Sequence, residues 1–235
     1  MKLKTALFLV MNGFASLTSS MAQSNIIQIS NQQKKVAITY SSAESKLAAE
    51  ILYSYLEKSL PNTFEIKDKN ITKSDAQIIL EIQKNNKELK DQEFILKSNS
   101  QDISLLATNL KSLKYAVYTL LEKWEFRKFT ATVSYIPKPD AFIFPKNFYQ
   151  KYQPTFAYRT LLYPDSYDQA FREWHKLDWF NDDFGLWGHT FDRLVPPKTH
   201  FKTNPKLYAL YEGKRRAESL CMTNDTVVEI VTKKM

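Results

Sequence analysis

This sequence is poor in glycine and cysteine. It has four glycines in 235 residues, and none lies between Phe14 and Phe184. Loops that cradle phosphate groups and the fingerprint of dinucleotide-binding folds both depend on clustered glycines, so that stretch holds neither. Cys221 is the single cysteine. An intramolecular disulfide is therefore excluded, as is a metal site built on paired cysteines.

No apolar run in the sequence is long enough to span a membrane. The first 22 residues combine Lys2 and Lys4 with the apolar stretch TALFLVMNGFASL and end in small residues at Ser20 and Ala22. This pattern is typical of a secretory signal peptide rather than of a buried helix, and the stretch is too short and too interrupted for a membrane span. We therefore expect export to the periplasm or the cell exterior, with no spanning segment.

Compact basic blocks are missing too. The formal net charge is +8, yet no block of Lys and Arg is longer than GKRR at Gly213–Arg216. A nucleic-acid-binding protein would be expected to carry a basic stripe together with a recognisable motif. The excess charge is better explained as a solvated surface, and no nucleic-acid partner is expected.

Residues 23–135 are predicted to form an α+β domain. Apolar side chains recur at helical spacing in SAESKLAAEILYSYLEKSL, which Ser42 opens as an N-cap, and again in LKSLKYAVYTLLEKW. Strands are indicated by β-branched and aromatic residues in KKVAITYS, TFEIKD, AQIILEIQ, EFILKSN and QDISLLATN. Two helices against one small sheet predict an open-faced sandwich.

A proline-rich stretch separates this domain from a different composition. Four prolines lie between Ile136 and Pro154, which predicts an extended linker at residues 136–153. Beyond it, 17 of the 32 aromatic residues fall between Phe148 and Tyr211. We expect a second domain at residues 154–235.

The second domain is predicted to alternate strands and helices. The strands are TFAYRTLLY, FGLWGHTF and ESLCMTN. The first helix is YDQAFREWHKLDWF, NPKLYALYEGKRR forms a short helix and turn, and DTVVEIVTKKM is a helix capped by Thr223 or Asn224. Strands alternating with helices at this spacing predict parallel βαβ units.

Three motifs of the second half resemble a known family. The chain carries WGHTFDRLVPP, NPKLYALYEGKR and LCMTN in that order, and these runs are similar to those of exported, Bacteroidetes-type proteins called domain of unknown function 4838. The resemblance extends from about Lys35 to the C-terminus. The join between the two domains also resembles that between the accessory domain and barrel of family 67 α-glucuronidases, and family 20 hexosaminidases are similar.

The resemblance implies an accessory domain followed by the first three β/α units of a TIM-type (β/α)8 barrel, incomplete at residue 235. Barrel enzymes build their sites at the C-terminal ends of strands. The substrate-binding positions would then be Arg159, Trp187, His189 and Asn224. The catalytic acids of related barrels come from later strands, so no catalytic residue is assigned, and neither a metal nor a cofactor is expected.

Each of these side chains has a structural alternative. Arg159 either forms an ion pair inside the barrel or grips sugar hydroxyls or a uronate carboxylate. Trp187 either packs in the core or stacks on a sugar ring. His189 either packs with its ring nitrogens satisfied or binds hydroxyl groups in the cleft.

Two functions remain open at this stage. One is the N-terminal portion of an exported, glycoside-hydrolase-like protein of polysaccharide metabolism, inactive as this fragment. The other is a non-catalytic carbohydrate-binding or surface-interaction protein that uses the same fold. Both take an oligosaccharide or polysaccharide as ligand, and both rest on fold-level analogy.

Overall fold

The structure, a computed structural model, describes residues 25–30, 35–69, 77–179 and 190–234. The predicted signal peptide at residues 1–22 lies outside them. Within the described ranges, no helix combines the length and the apolar character needed to cross a membrane. The chain divides into two compact units between Leu177 and Asp178.

The first unit contains the α+β elements predicted from the sequence and several further strands. Its strands are β1 (Ile26–Ser30), β2 (Val36–Tyr40), β3 (Phe64–Asp68), β4 (Gln77–Ile82), β5 (Phe94–Ser98), β6 (Ile103–Ala107), β7 (Arg127–Lys128), β8 (Ser134–Tyr135), β9 (Ala141–Pro145) and β10 (Tyr149–Tyr152). Its helices are α1 (Ala43–Ser59), α2 (Leu110–Lys123), the 3₁₀ turn η1 (Pro164–Tyr167) and α3 (Gln169–Trp174).

Six of these strands form one mixed sheet in the order β10–β5–β6–β4–β2–β3. Strands β6, β4, β2 and β3 pair in parallel. Strand β5 pairs antiparallel with β6, and β10 pairs antiparallel with β5. Helices α1 and α2 contact each other and pack on this sheet. Along β4 the alternate residues Ile78 and Leu80 are fully buried in the resulting core, whereas Ile79 between them is half-buried, as expected for one covered face of a sheet. This confirms the predicted α+β class.

The first helix begins where the sequence predicts. The Ser42 hydroxyl accepts a hydrogen bond from the backbone N–H of Ser45, and the Ser45 hydroxyl accepts one from the N–H of Ser42. This reciprocal cap satisfies two of the N–H groups that a helix start leaves unpaired. Ala48, Leu52 and Leu56 then follow at helical spacing and are buried.

The stretch predicted as a linker, residues 136–153, is instead part of the first unit. β9 pairs antiparallel with β1, and β10 pairs with the sheet edge β5. Phe142 and Phe144 are buried while Ile143 between them is exposed, which is the alternation of a half-buried strand. The Trp124 ring stacks on Phe142 at 4.7 Å. These rings pack residues 141–145 against the core of the first unit.

The segment TFAYRTLLY, predicted as a barrel strand, has no strand within it. Its backbone carbonyl groups bond to side chains instead of a neighbouring strand. The Arg159 guanidinium donates to the Phe156 carbonyl (2.6 Å), and the Gln92 amide donates to the Ala157 carbonyl (2.8 Å). A strand needs a paired neighbour to satisfy these groups, and the described residues supply none here.

The second unit is smaller. Its elements are α4 (Phe191–Leu194), α5 (Pro197–His200), the 3₁₀ turn η2 (Pro205–Leu207), β11 (Tyr208–Tyr211), β12 (Lys214–Leu220) and α6 (Asp225–Lys234). Its apolar core contains Leu194, Val195, Leu207, Tyr208, Leu220 and Val227. The C-terminal helix is thus confirmed. Most of the predicted strand FGLWGHTF lies outside the described residues. Its last two residues, Thr190 and Phe191, are described, and Phe191 begins α4.

The predicted helix and turn at NPKLYALYEGKRR is a β-hairpin. β11 pairs antiparallel with β12, and Tyr211 pairs with Lys214 across a two-residue loop. Both loop residues, Glu212 and Gly213, have positive φ angles, of 48° and 73°, which is the requirement of a type I′ turn. In the described part of residues 154–235 no parallel β/α unit is therefore seen.

Candidate functional site

A pocket of about 490 Å³ opens on the second unit. Its wall combines an aromatic ring, a thioether, two carboxylates and a hydroxyl. The described lining residues are Phe191, Asp192, Glu218, Ser219, Leu220 and Met222. Apolar surface with a few convergent polar groups is the usual composition of a small-molecule site.

A β-bulge supplies one wall of the pocket. Tyr208 of β11 pairs with Leu220, but the next residue, Ala209, pairs with Arg216. Residues 217–219 therefore have no partner on β11. Bulges of this kind change the direction of side chains next to functional sites. Here the unpaired segment brings Glu218 and Ser219 to the pocket, and buried Leu220 anchors the strand behind them.

Helix α4 also contributes to the pocket lining. Its first two residues, Phe191 and Asp192, are exposed at the pocket, whereas Leu194 and Val195 are buried in the core of the second unit. The hydroxyl of Tyr208 donates to the Val195 carbonyl at 3.0 Å. Helix α4 and the hairpin, which carry the pocket lining, therefore pack in the same apolar core of the second unit.

The two carboxylates of the pocket are not neutralised by neighbours. Within the described part of the chain, neither Asp192 nor Glu218 takes part in a hydrogen bond or an ion pair. Arg215 of β12 donates to the Tyr208 carbonyl (2.7 Å), and Lys234 of α6 donates to the Leu194 carbonyl (2.6 Å). Both carboxylates keep their full capacity to accept hydrogen bonds from a ligand.

The lone cysteine adjoins the pocket without lining it. The Thr223 hydroxyl lies 3.6 Å from Cys221 Sγ, and this contact, together with Arg215, lowers the pKa of the thiol below its usual value. Burial opposes the shift. Cys221 is partly exposed.

Arg159 lies in the first unit, where its guanidinium bonds to protein groups. Besides the Phe156 carbonyl, its Nε donates to the Lys176 carbonyl (2.9 Å) and a terminal nitrogen donates to the Gln92 side-chain oxygen (2.6 Å). These bonds join three separate stretches of the unit. The predicted contact of Arg159 with a sugar stays a prediction.

Asn224 lies in the second unit at the start of α6. Its side-chain oxygen accepts a hydrogen bond from the Thr226 N–H (3.0 Å), and its amide donates to the Lys206 carbonyl (3.1 Å). Of the two residues predicted to cap this helix, Thr223 and Asn224, it is therefore Asn224 that forms the N-cap of α6. Trp187 and His189 lie outside the described residues.

Sequence reasoning missed most of the pocket. Asp192 follows the predicted strand FGLWGHTF, and Glu218 is the first residue of the predicted strand ESLCMTN. The available signal was the pair Glu212–Gly213, because a residue followed by glycine between two apolar runs indicates a two-residue hairpin. The bulge that exposes Glu218 has no sequence signal of its own.

Three solved structures illustrate the similarity of the chain to known proteins. An exo-β-N-acetylglucosaminidase of family GH20 from Vibrio harveyi is 17% identical, with a TM-score of 0.40 over 57% of this chain and 18% of that one. A Streptomyces plicatus β-hexosaminidase mutant is 14% identical, with a TM-score of 0.42 over 57% of this chain and 24% of that one. A family GH115 4-O-methyl-α-glucuronidase is 18% identical, with a TM-score of 0.42 over 57% of this chain and 19% of that one.

The chain spans less than a quarter of the length of each of these three structures. No curated protein matches it. The family comparison gives a match in the region that contains the pocket. It confirms the resemblance drawn from the three motifs, although over a shorter range than Lys35 to the C-terminus. Residues 128–235 match the family described as Domain of unknown function (DUF4838).

Proposed function

We propose that this chain handles carbohydrate as the N-terminal portion of an exported, glycoside-hydrolase-like protein, and that the pocket of the second unit binds the glycan. The observation that carries this proposal is one cavity lined by the exposed Phe191 ring and by two carboxylates, Asp192 and Glu218, to which no described residue is bonded. Export by the signal peptide at residues 1–22 belongs to the same proposal.

The composition of the pocket supports a sugar ligand. A pyranose ring has an apolar face of C–H groups and an edge of hydroxyl groups. The Phe191 ring is 44% exposed and Met222 is 55% exposed, and both offer apolar surface to such a face. The carboxylates and the Ser219 hydroxyl can accept hydrogen bonds from sugar hydroxyls. The pocket volume, about 490 Å³, is within the range of small-ligand sites.

Hydrolysis and simple binding make different demands on the carboxylates. Glycoside hydrolysis uses two of them, one as a general acid and one as a nucleophile or general base. In a hydrolase, Asp192 and Glu218 would be the acids of this chain to take those roles. In a non-catalytic carbohydrate-binding protein, the same groups would only accept hydrogen bonds, and their amide variants would retain part of the affinity.

A binding and turnover assay on the full chain tests this proposal. Isothermal titration against a panel of neutral and charged oligosaccharides measures affinity, and reducing-end release measures hydrolysis. We expect Asp192→Asn and Glu218→Gln together to weaken binding about tenfold or more. The control is Glu229→Gln, which removes the same charge from an exposed position on α6 outside the pocket lining.

The outcomes separate the two functions. Binding with turnover that either amide variant abolishes supports a hydrolase, whereas binding without turnover supports the carbohydrate-binding alternative. Absence of binding to any glycan would refute the proposal. If Arg159→Ala weakens binding while the pocket variants do not, the glycan site lies at the residues predicted from the sequence instead.

A further inference from the structure

Residues 154–177 supply little of the core of the first unit. Among the described residues, the members of that core lie within residues 27–144, and Trp174 of α3 is the one member that this segment adds. The Trp174 ring packs against Tyr55 and Tyr118. Detachment of the segment would therefore remove one ring from the core and leave the rest of it packed.

The segment is attached to the rest of the first unit through side chains. In the described part of the chain, no hydrogen bond between two backbone groups joins it to residues 25–152. The Gln92 side-chain oxygen accepts from Arg159 (2.6 Å), and the Asp165 carboxylate accepts from the Ala131 N–H (2.8 Å). Strands β9 and β10, in contrast, are joined to the unit by backbone pairing. The segment can therefore leave without breaking any strand pairing.

Two ion pairs of opposite direction hold the segment on α2. The Lys114 ammonium group lies 2.7 Å from the Glu173 carboxylate, and the Lys176 ammonium group lies 3.3 Å from the Glu122 carboxylate. Both lysine side chains are mostly buried. Such pairs are sensitive to the loss of one partner, because the group left behind is then partly buried without a counter-charge. The docking of the segment thus depends on a few specific contacts.

Bonds within the segment connect its parts to each other. The Arg159 Nε donates to the Lys176 carbonyl (2.9 Å), and the Arg172 guanidinium donates to the Ser166 carbonyl (2.7 Å). The first of these bonds joins the beginning of the segment to its end. Loss of the docking contacts at one end therefore affects the other, as expected of one cooperative unit.

We infer that residues 154–177 form a strap that releases from the first unit as one cooperative unit while the sheet and helices α1 and α2 stay folded. Segments with few buried apolar contacts open at a lower free energy than the core. The strap ends at Leu177, and the second unit begins at Asp178. Release would leave the second unit connected to the folded sheet by undocked chain. The inference does not depend on glycan binding.

Hydrogen exchange of the full chain, resolved by residue with NMR, tests the inference. Helix α3 has six residues, too few to persist in water once undocked, so release exposes its amides. The N–H groups of Arg172 and His175 are the reporters, because they bond to carbonyl groups within the strap. We expect their protection factors to be at least about tenfold lower than those of β2, β4 and β6.

Two variants distinguish release of the strap from other routes of exchange. Ile78→Val, at a fully buried residue of β4, should speed exchange in the sheet about fivefold. It should leave the strap reporters unchanged, because it weakens the closed and the strap-open states alike. Lys114→Met removes the partner of Glu173 without altering the strap itself, and should speed exchange of the reporters about tenfold. The control is Lys46→Met, at an exposed ion pair on α1, which should change neither.

Three results would overturn the inference. If Ile78→Val speeds exchange in the strap and in the sheet alike, the segment opens only when the whole unit unfolds. If Lys114→Met leaves the exchange of Arg172 and His175 unchanged, α3 exchanges by fraying in place rather than by release. Equal protection of the strap and the sheet in the wild-type chain would exclude release without any variant.

Discussion

The ammonium group of Lys114 lies 2.7 Å from the carboxylate of Glu173 and joins α2 to α3 across 59 positions of sequence. Both side chains are mostly buried. The hydroxyl of Tyr118 lies 3.4 Å from the second oxygen of Glu173, and burial followed by this negative charge raises the pKa of Tyr118. Residues 154–177, predicted as the start of a barrel domain, therefore contact the helices of the first unit.

Replacing Trp174 by Ala should destabilise the first unit. The Trp174 ring is 2% exposed and packs against Tyr55 and Tyr118, with ring centroids 5.5 Å and 5.2 Å apart. We expect its removal to lower the free energy of unfolding by about 3–5 kcal/mol, measured by urea denaturation. Leu162→Ala, at a residue 68% exposed, is the matched control and should change it by less than about 0.5 kcal/mol. Equal effects would contradict the packing described for α3.

Arg159→Lys should lower stability because lysine cannot reproduce the guanidinium fork. Three acceptors converge on Arg159: the side-chain oxygen of Gln92 and the carbonyl groups of Phe156 and Lys176. A lysine reaches fewer of them, and the groups left unpaired cost about 1–3 kcal/mol. Thermal unfolding measures the loss. An unchanged melting temperature combined with loss of glycan affinity would show that Arg159 serves the ligand, as predicted from the sequence.

The first unit should lose stability in acid, partly through Glu93. Burial raises the pKa of this carboxyl, but the backbone N–H of Lys90 (2.9 Å) and the ammonium group of Lys151 (3.0 Å) outweigh burial, and the pKa lies below its ordinary value of 4.5. Because the folded pKa is below the unfolded one, the stabilisation is complete above about pH 4.5 and is lost as the pH falls through the folded pKa.

Glu93→Gln tests this assignment. At neutral pH the variant should be less stable by about 1–3 kcal/mol, because the Lys151 ammonium group loses its charged partner. Below the folded pKa of Glu93 the difference from wild type should shrink. The control is Glu50→Gln, which removes an exposed carboxylate on α1 paired with Lys46. A difference between Glu93→Gln and wild type that stays constant with pH would contradict the account.

Gly213→Ala should weaken the hairpin that carries the pocket. The φ angle of Gly213 is +73°, and an added Cβ would meet no atom within 4 Å. The cost therefore comes from the backbone conformation and amounts to about 1 kcal/mol. Asparagine tolerates this conformation, so Gly213→Asn should destabilise the hairpin less than Gly213→Ala. Hydrogen exchange of the backbone amides of β11 and β12 measures the difference. If the Ala and Asn variants exchange alike, the type I′ turn is wrong.

The sequence predicted the first unit well because its helices and central strands follow clear periodicities. Ser42 marks the start of α1, and the spacing of apolar residues in α1 and α2 shows which face of each helix is buried against the sheet. β9 was missed although Phe142 and Phe144 alternate with Ile143, because the four prolines of this stretch favoured a linker. Proline is tolerated at the end of a strand in a two-stranded ribbon, and only tertiary pairing shows that this applies at Pro145.

Residues 154–235 were predicted less well because local sequence patterns in this region fit two structures. TFAYRTLLY has the residue types of a strand, but a strand needs a neighbouring strand to bond its backbone groups. Here the side chains of Arg159 and Gln92 donate to backbone carbonyl groups of the segment instead. NPKLYALYEGKRR fits a short helix by composition, whereas the positive φ angles at Glu212 and Gly213 require a turn. The pocket depends on the register shift between Tyr208 and Ala209, which no local signal encodes.

The central claim is that the pocket of the second unit binds glycan, and an amide NMR titration of the full chain with chitosan and N-acetylglucosamine oligomers tests it most directly. The account predicts shifts that concentrate at Phe191, Asp192 and residues 218–222 and that need a higher oligomer concentration in the D192N/E218Q variant. Shifts confined to the first unit, or no shift with any oligomer, would contradict it.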